Sequence, residues 1–152
     1  MSSWYRRVTG NMGEIVNAIS FFEQQIAEAK YEVSMKGHLE RQSRDMPGIV
    51  EHRFNQLQEV EAILEHLNTE MRKLRSQTFR KFLENYNKAL SSRDAEKYVD
   101  GEQSVVDLQY LINDFSLVRN KFIGVIKALE AKQFQINNIV KLRAAGLEDI
   151  SL

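Results

Sequence analysis

The stretch LQYLINDFSLVRNKFIGVIKALEAKQFQINNI, residues 108–139, decides the fold class. Within it Leu108, Leu111, Phe115, Val118, Phe122, Val125, Leu129, Lys132, Ile136 and Ile139 succeed one another at alternating steps of three and four, and Lys132 alone breaks the apolar rule. Such steps keep these side chains on one stripe of an α-helix, the pattern of a helix–helix seam and not of a strand. The pattern predicts a helix over residues 103–145, with Gly146 as its C-terminal stop. A seam needs a partner, which a second long helix of the same chain or another copy can supply. Further apolar residues off the seam, Ile112, Leu117, Ile126 and Phe134, favour additional burial against other copies. Gly124 costs about 1 kcal/mol relative to alanine inside a helix and suggests a close helix crossing.

Toward the N-terminus, the segment Ser91 to Glu102 is polar, opens with helix-capping residues and contains Gly101, so it reads as a connection with one short helical turn around Ala95. Upstream of it, Val50, Phe54, Leu57, Val60, Leu64, Leu67, Met71, Leu74, Phe79, Phe82, Leu83 and Tyr86 hold a helical period, predicting a helix over 49–90. At 1.5 Å of rise per residue it would span about 60 Å, long for a compact chain of this size. Pro47 predicts a turn over 42–48, since proline breaks helices and disfavours helical geometry at Met46. An N-terminal amphipathic helix is predicted over 12–39 from Ile15, Ile19, Phe22, Ile26, Ala29 and Val33. The expected fold is therefore all-α: a long-helix hairpin or bundle with an N-terminal amphipathic helix, residues 1–152 forming one domain that assembles into a homo-oligomer.

Composition agrees. The 152 residues include seven glycines and one proline, few enough to favour long uninterrupted helices. There is no cysteine, which excludes thiolate chemistry and a disulfide framework and fits a reducing compartment. The N-terminus lacks the apolar core of a signal peptide, and no stretch approaches the roughly 18 apolar residues of a membrane span, so no membrane partner is expected. Twenty-one basic and twenty-one acidic residues cancel, but residues 119–152 carry six basic against three acidic, so the chain grows more basic toward its C-terminal half.

The three histidines offer no catalytic or metal site. His52 and His66 lie fourteen residues apart, about 21 Å along one helix, and none of the three has a glutamate three residues before it, as a helical di-iron motif requires. Carboxylate pairs such as Glu61 with Glu65 are ordinary on a helix face. Gly10-Asn-Met-Gly13 is too short for a dinucleotide fingerprint, and no phosphate loop is present. The sequence predicts no enzyme, no cofactor and no metal.

The remaining signal is Met71 to Leu83, with five basic residues and no acidic one. On a helical wheel Lys73, Arg80, Lys81 and Lys88 fall within about 100° of each other, with Arg72 and Arg75 bordering the apolar side. A basic stripe of this kind is a solvated face or a nucleic-acid contact. Repetition around an oligomer would let a modest stripe hold a strand, each neutralised phosphate adding a salt-dependent increment. Phe79, Phe82 and Tyr86 are either stacking faces for unpaired bases or core.

Three segments carry a family resemblance: Met46-Pro-Gly-Ile-Val-Glu-His-Arg-Phe-Asn-Gln-Leu-Gln-Glu, Ser92-Arg-Asp-Ala-Glu-Lys-Tyr-Val-Asp-Gly-Glu, and Lys132-Gln-Phe-Gln-Ile-Asn-Asn-Ile-Val-Lys-Leu-Arg-Ala-Ala-Gly-Leu-Glu-Asp. Over roughly Pro47 to Asp149 the chain resembles the UvsY-type recombination mediators of T4-like phages, especially those infecting cyanobacteria. The resemblance implies a ring-like homo-oligomer in the cytoplasm of the infected bacterial host. It would bind single-stranded DNA, contact the phage recombinase and the phage single-strand-binding protein, and help the first replace the second. Arg80-Lys-Phe-Leu-Glu-Asn-Tyr86 resembles the family's DNA-binding segment, basic-x-basic-Leu-acidic before an aromatic, with Phe82 at the second basic position and Lys81 beside it. The nucleic-acid-binding residues are then Arg72, Lys73, Arg75, Arg80, Lys81 and Lys88. The oligomerisation residues are Leu111, Phe115, Val118, Phe122, Val125, Leu129, Ile136 and Ile139. A helical structural or assembly scaffold without nucleic-acid binding is the alternative.

Overall fold

The computed structural model describes residues 3–85 and 90–146. Among them there is no strand; the chain is all-α, with helices α1 (Ser3–Gly10), α2 (Ile15–Val33), α3 (Leu39–Asn85), α4 (Ser92–Gly101) and α5 (Gln103–Ala144), and a 3-10 turn Met12–Glu14 before α2. No helix of the described residues is long and apolar enough to cross a membrane.

The last helix follows its pattern closely. It ends at Ala144, and Gly146 takes φ +76°, the left-handed conformation that lets the backbone turn away. Ahead of it, the polar connection forms a full ten-residue helix, α4, instead of a single turn. Ser91 caps α4, its side chain accepting from the amide of Asp94.

The N-terminal half differs from the expected 12–39 helix and 42–48 turn. Helix α2 stops at Val33, the chain turns through 34–38 with Gly37 at φ +98°, and α3 then runs through Pro47 without interruption. Proline there removes one donor to the carbonyl of Ser43. Ser43 and Pro47 are both exposed, so water can take that carbonyl, while buried Met46 and Arg53 hold the backbone on either side. Packing overrides the local breaker.

Two compact units emerge, one from residues up to Ile19 with Glu59–Val118, the other from Ser20–Gln58 with Arg119 onward. In the first, Val8, Ile15, Val60, Ile63, Leu67, Val99, Phe115 and Val118 form the interior. Glu59 accepts from the amide of Tyr5 at 2.9 Å, satisfying an orphan donor in the first turn of α1 and placing a carboxylate at its positive end.

In the second, Phe22 meets Phe122 edge to face at 6.0 Å, and the Lys132 ammonium reaches the Glu32 carbonyl. Both pairs are one hundred residues apart, so these parts of α2 and α5 run in the same direction. Gln25 bonds both Arg53 and Gln56 of α3. Full burial of a large apolar side chain such as Phe22 or Phe122 is worth about 1.5–3 kcal/mol, and Ile26, Met46, Leu129 and Ile136 add comparable burial to the same unit.

Candidate functional site

Five of the six residues assigned to nucleic-acid binding lie on α3 within the first unit; Lys88 and Tyr86 fall outside the described residues. No glycine or proline lies between Ile49 and Asn85, so the helix carries them as one rigid row. From Arg72 to Lys81 the row measures about 14 Å along the axis.

The row is less free than its sequence suggests. Arg72 reaches Glu65 at 3.4 Å and Thr69 at 3.0 Å, and Lys73 bonds Glu70 at 2.9 Å. The lysine holds the Glu70 carboxyl below the ordinary carboxylate range, chiefly through that bond. Helix α4 and its C-terminal flank supply the other partners: Asp100 to Arg75 at 2.8 Å and Glu102 to Lys81 at 3.9 Å. Arg80 is exposed and, of these five, has no ion pair among the described residues. Each of these surface pairs is worth only about 0–1 kcal/mol, so an approaching phosphate can displace the carboxylate at small cost.

The nearby aromatics are mostly engaged. Phe79 is half-buried, and Phe82 packs against Tyr98 of α4 with ring centroids 5.5 Å apart. Tyr98 itself stays half-exposed. Leu83 is also partly exposed.

The residues assigned to oligomerisation are buried or half-buried within the chain. Phe115, Val118, Phe122, Val125, Leu129 and Ile136 are buried, whereas Leu111 and Ile139 are half-buried. Of the four apolar residues expected to remain outside, Ile112 and Ile126 are buried, while Leu117 is 53% and Phe134 70% exposed. Gly124 is exposed, and a Cβ there would meet nothing within 4 Å, so no close helix crossing explains it.

The second unit holds a polar cluster that the hydrophobic pattern conceals. Arg53, 2% exposed, donates to both carboxylate oxygens of Glu32 at 2.7 and 2.9 Å and to the amide oxygens of Gln25 and Gln56. Lys132, 7% exposed, donates to the backbone carbonyl of Glu32 at 2.6 Å. Burial pushes its ammonium below the usual lysine range, and the Glu32 charge pulls it part of the way back. The sequence does carry a signal for both: Arg53 stands in the seven-residue column Met46, Val60, Leu67, and Lys132 in the column Leu111, Val118, Val125, Ile139.

Among the described residues no group of three His, Cys, Asp or Glu side chains could hold a metal ion. His38 and His52 are exposed and His66 half-buried; His38 precedes α3, and the other two stand fourteen residues apart on it. No family model, curated protein or solved structure matches this chain.

Proposed function

We propose that the chain is a non-enzymatic recombination mediator: a homo-oligomer that binds single-stranded DNA along the α3 stripe and promotes loading of a phage recombinase in place of single-strand-binding protein. The observation that carries this reading is Arg80, exposed and without an ion pair among the described residues, next to Lys81 with its loose 3.9 Å partner. Both stand at the start of the segment that resembles the mediators' DNA-binding sequence. In the long-helix arrangement proposed here, the stripe repeats around the oligomer, so weak single contacts add along one strand. Exposed Leu117 and Phe134 on α5 supply apolar surface for contact between copies.

Fluorescence anisotropy with a labelled oligonucleotide across a salt series tests the binding. Each phosphate contact contributes about −0.7 to the slope of log affinity against log salt for a single strand. Arg80→Ala with Lys81→Ala should weaken binding and flatten that slope while leaving the oligomer mass unchanged; wild-type affinity in this variant refutes the stripe. Self-assembly is tested at Leu117→Asp with Phe134→Asp, which should lower the mass in light scattering. Fully buried Phe122 does not serve, since a charge there disrupts the chain's own core.

The second reading is a helical scaffold or adaptor without nucleic-acid binding. It is favoured by the carboxylates already set against Arg72, Lys73, Arg75 and Lys81. A chain that assembles but shows no salt-dependent oligonucleotide binding is this scaffold.

A further inference from the structure

The second unit contains a cavity of about 280 Å³ beside the turn that joins α2 to α3. Lys36, His38, Arg41 and Lys132 line it, together with the carboxylates of Glu32 and Asp45. Both carboxylates already have cationic partners, Asp45 partly within the lining itself. Glu32 is held by Arg53 at 2.7 Å, and Asp45 lies 3.7 Å from both Arg41 and Arg44.

Lys132 is the deepest cation. Its ammonium has three N–H groups, the Glu32 carbonyl takes one, and no carboxylate comes within 4 Å of it among the described residues. A buried charge is costly unless a counter-charge reaches it; the Glu32 carboxylate supplies only part of one, and the ammonium faces a cavity with a surplus of cations. The first intrahelical bond of α3 runs from the amide of Gln42 to the carbonyl of His38, so the amides of Leu39, Glu40 and Arg41 have no acceptor within the helix. Of these three residues Arg41 lines the cavity, so the positive end of the helix lies beside that wall. Gln42 also lines the cavity; its Nε2 donates to the Gly37 carbonyl, and its Oε1 is buried without a hydrogen-bond partner, so a ligand reaches that acceptor when the Gln42 side chain turns.

Many donors around one acceptor do not describe a carboxylate site, since a carboxylate has no proton to give. A monoprotonated phosphate offers several anionic oxygens and one O–H. We propose that this cavity binds a phosphate monoester or inorganic phosphate, with Lys132, Lys36 and Arg41 holding the anionic oxygens and Gln42 accepting from the P–O–H. An internal phosphodiester lacks that proton, so the site is distinct in chemistry from the α3 stripe and does not rest on the DNA-binding reading. Its phosphate can come from a free small molecule or from the terminal phosphate of a nucleic-acid strand.

The probe is inorganic phosphate, titrated into the full chain by calorimetry against chloride at equal ionic strength. The wild type should bind it. Lys132→Met should abolish binding, and Lys36→Ala with Arg41→Ala, both exposed and outside the core, should weaken it at least tenfold with helicity unchanged. No phosphate-specific binding by the wild type, or unchanged affinity in the exposed double variant, overturns the site. A second arm sets a 5′-phosphorylated oligonucleotide against its unphosphorylated twin as competitors. Displacement by the phosphorylated strand alone supports the site with a strand end as source, and displacement by neither supports it with a small phosphate. Equal displacement by both overturns the monoester assignment.

Discussion

Replacing Glu32 by leucine and Arg53 by methionine, singly and together, should give three unequal losses of stability. The inequality follows from burial: the Arg53 side chain is 3% exposed and that of Glu32 27%. In Glu32→Leu the guanidinium stays inside with only the amide oxygens of Gln25 and Gln56, and an unpaired buried charge costs about 3–5 kcal/mol. In Arg53→Met the carboxylate left behind can turn toward water, so the cost falls to about 1.5–3 kcal/mol, the worth of lost hydrogen bonds to a charged group. The double variant removes both charges and should be about 2 kcal/mol more stable than Glu32→Leu alone. Urea titration followed by far-UV circular dichroism, at one fixed chain concentration because assembly adds to stability, measures all three. Equal costs for the two single variants, or strictly additive costs in the double, would refute the assignment of Arg53 as the desolvated partner.

Gly124→Ala should stabilise the chain by about 0.5–1 kcal/mol, since a helix-interior glycine with open space around its Cβ gives up only backbone entropy; a loss of stability in the same titration would mean that another molecule packs there. Lys132→Met should change the alkaline limb of the pH–stability profile. Between the depressed value of the folded lysine and its ordinary value near 10.5, the unfolded chain binds more protons, so wild-type stability rises with pH across that window. The methionine variant should lack this rise, and a wild-type curve that falls relative to the variant contradicts the direction of the shift.

The long periodic elements were legible because their physics is local. A 3.5-residue apolar step needs only neighbours in sequence to be recognised, and the capping serine at Ser91 and the stop at Gly146 act within a few residues. The break between the first two long helices was misplaced because two local signals competed. Pro47-Gly48 looks stronger than Lys36-Gly37-His38, yet Met46 and Arg53 are anchored in the second unit and the carbonyl freed by Pro47 lies at the surface. The stripe shows the same limit. Glu70, three residues before Lys73, was within reach of a helical wheel, whereas Asp100 and Glu102 come from another element, so their neutralising effect on Arg75 and Lys81 depends on the fold. Lys132 was visible only as an irregularity, because the Glu32 carbonyl that accepts from it lies one hundred residues away.

That irregularity has a consequence for how the helices choose their alignment. Along α5 the columns Phe115, Phe122, Leu129, Ile136 and Leu111, Val118, Val125, Ile139 repeat every seven residues, so a slip by one repeat exchanges one apolar side chain for another at modest cost in packing. The lysine has no apolar equivalent. A slip of seven residues carries its ammonium about 10 Å from the Glu32 carbonyl and drives a bare charge against hydrocarbon. A single polar side chain can thus act as the index mark on an otherwise degenerate scale, trading some stability for one permitted alignment.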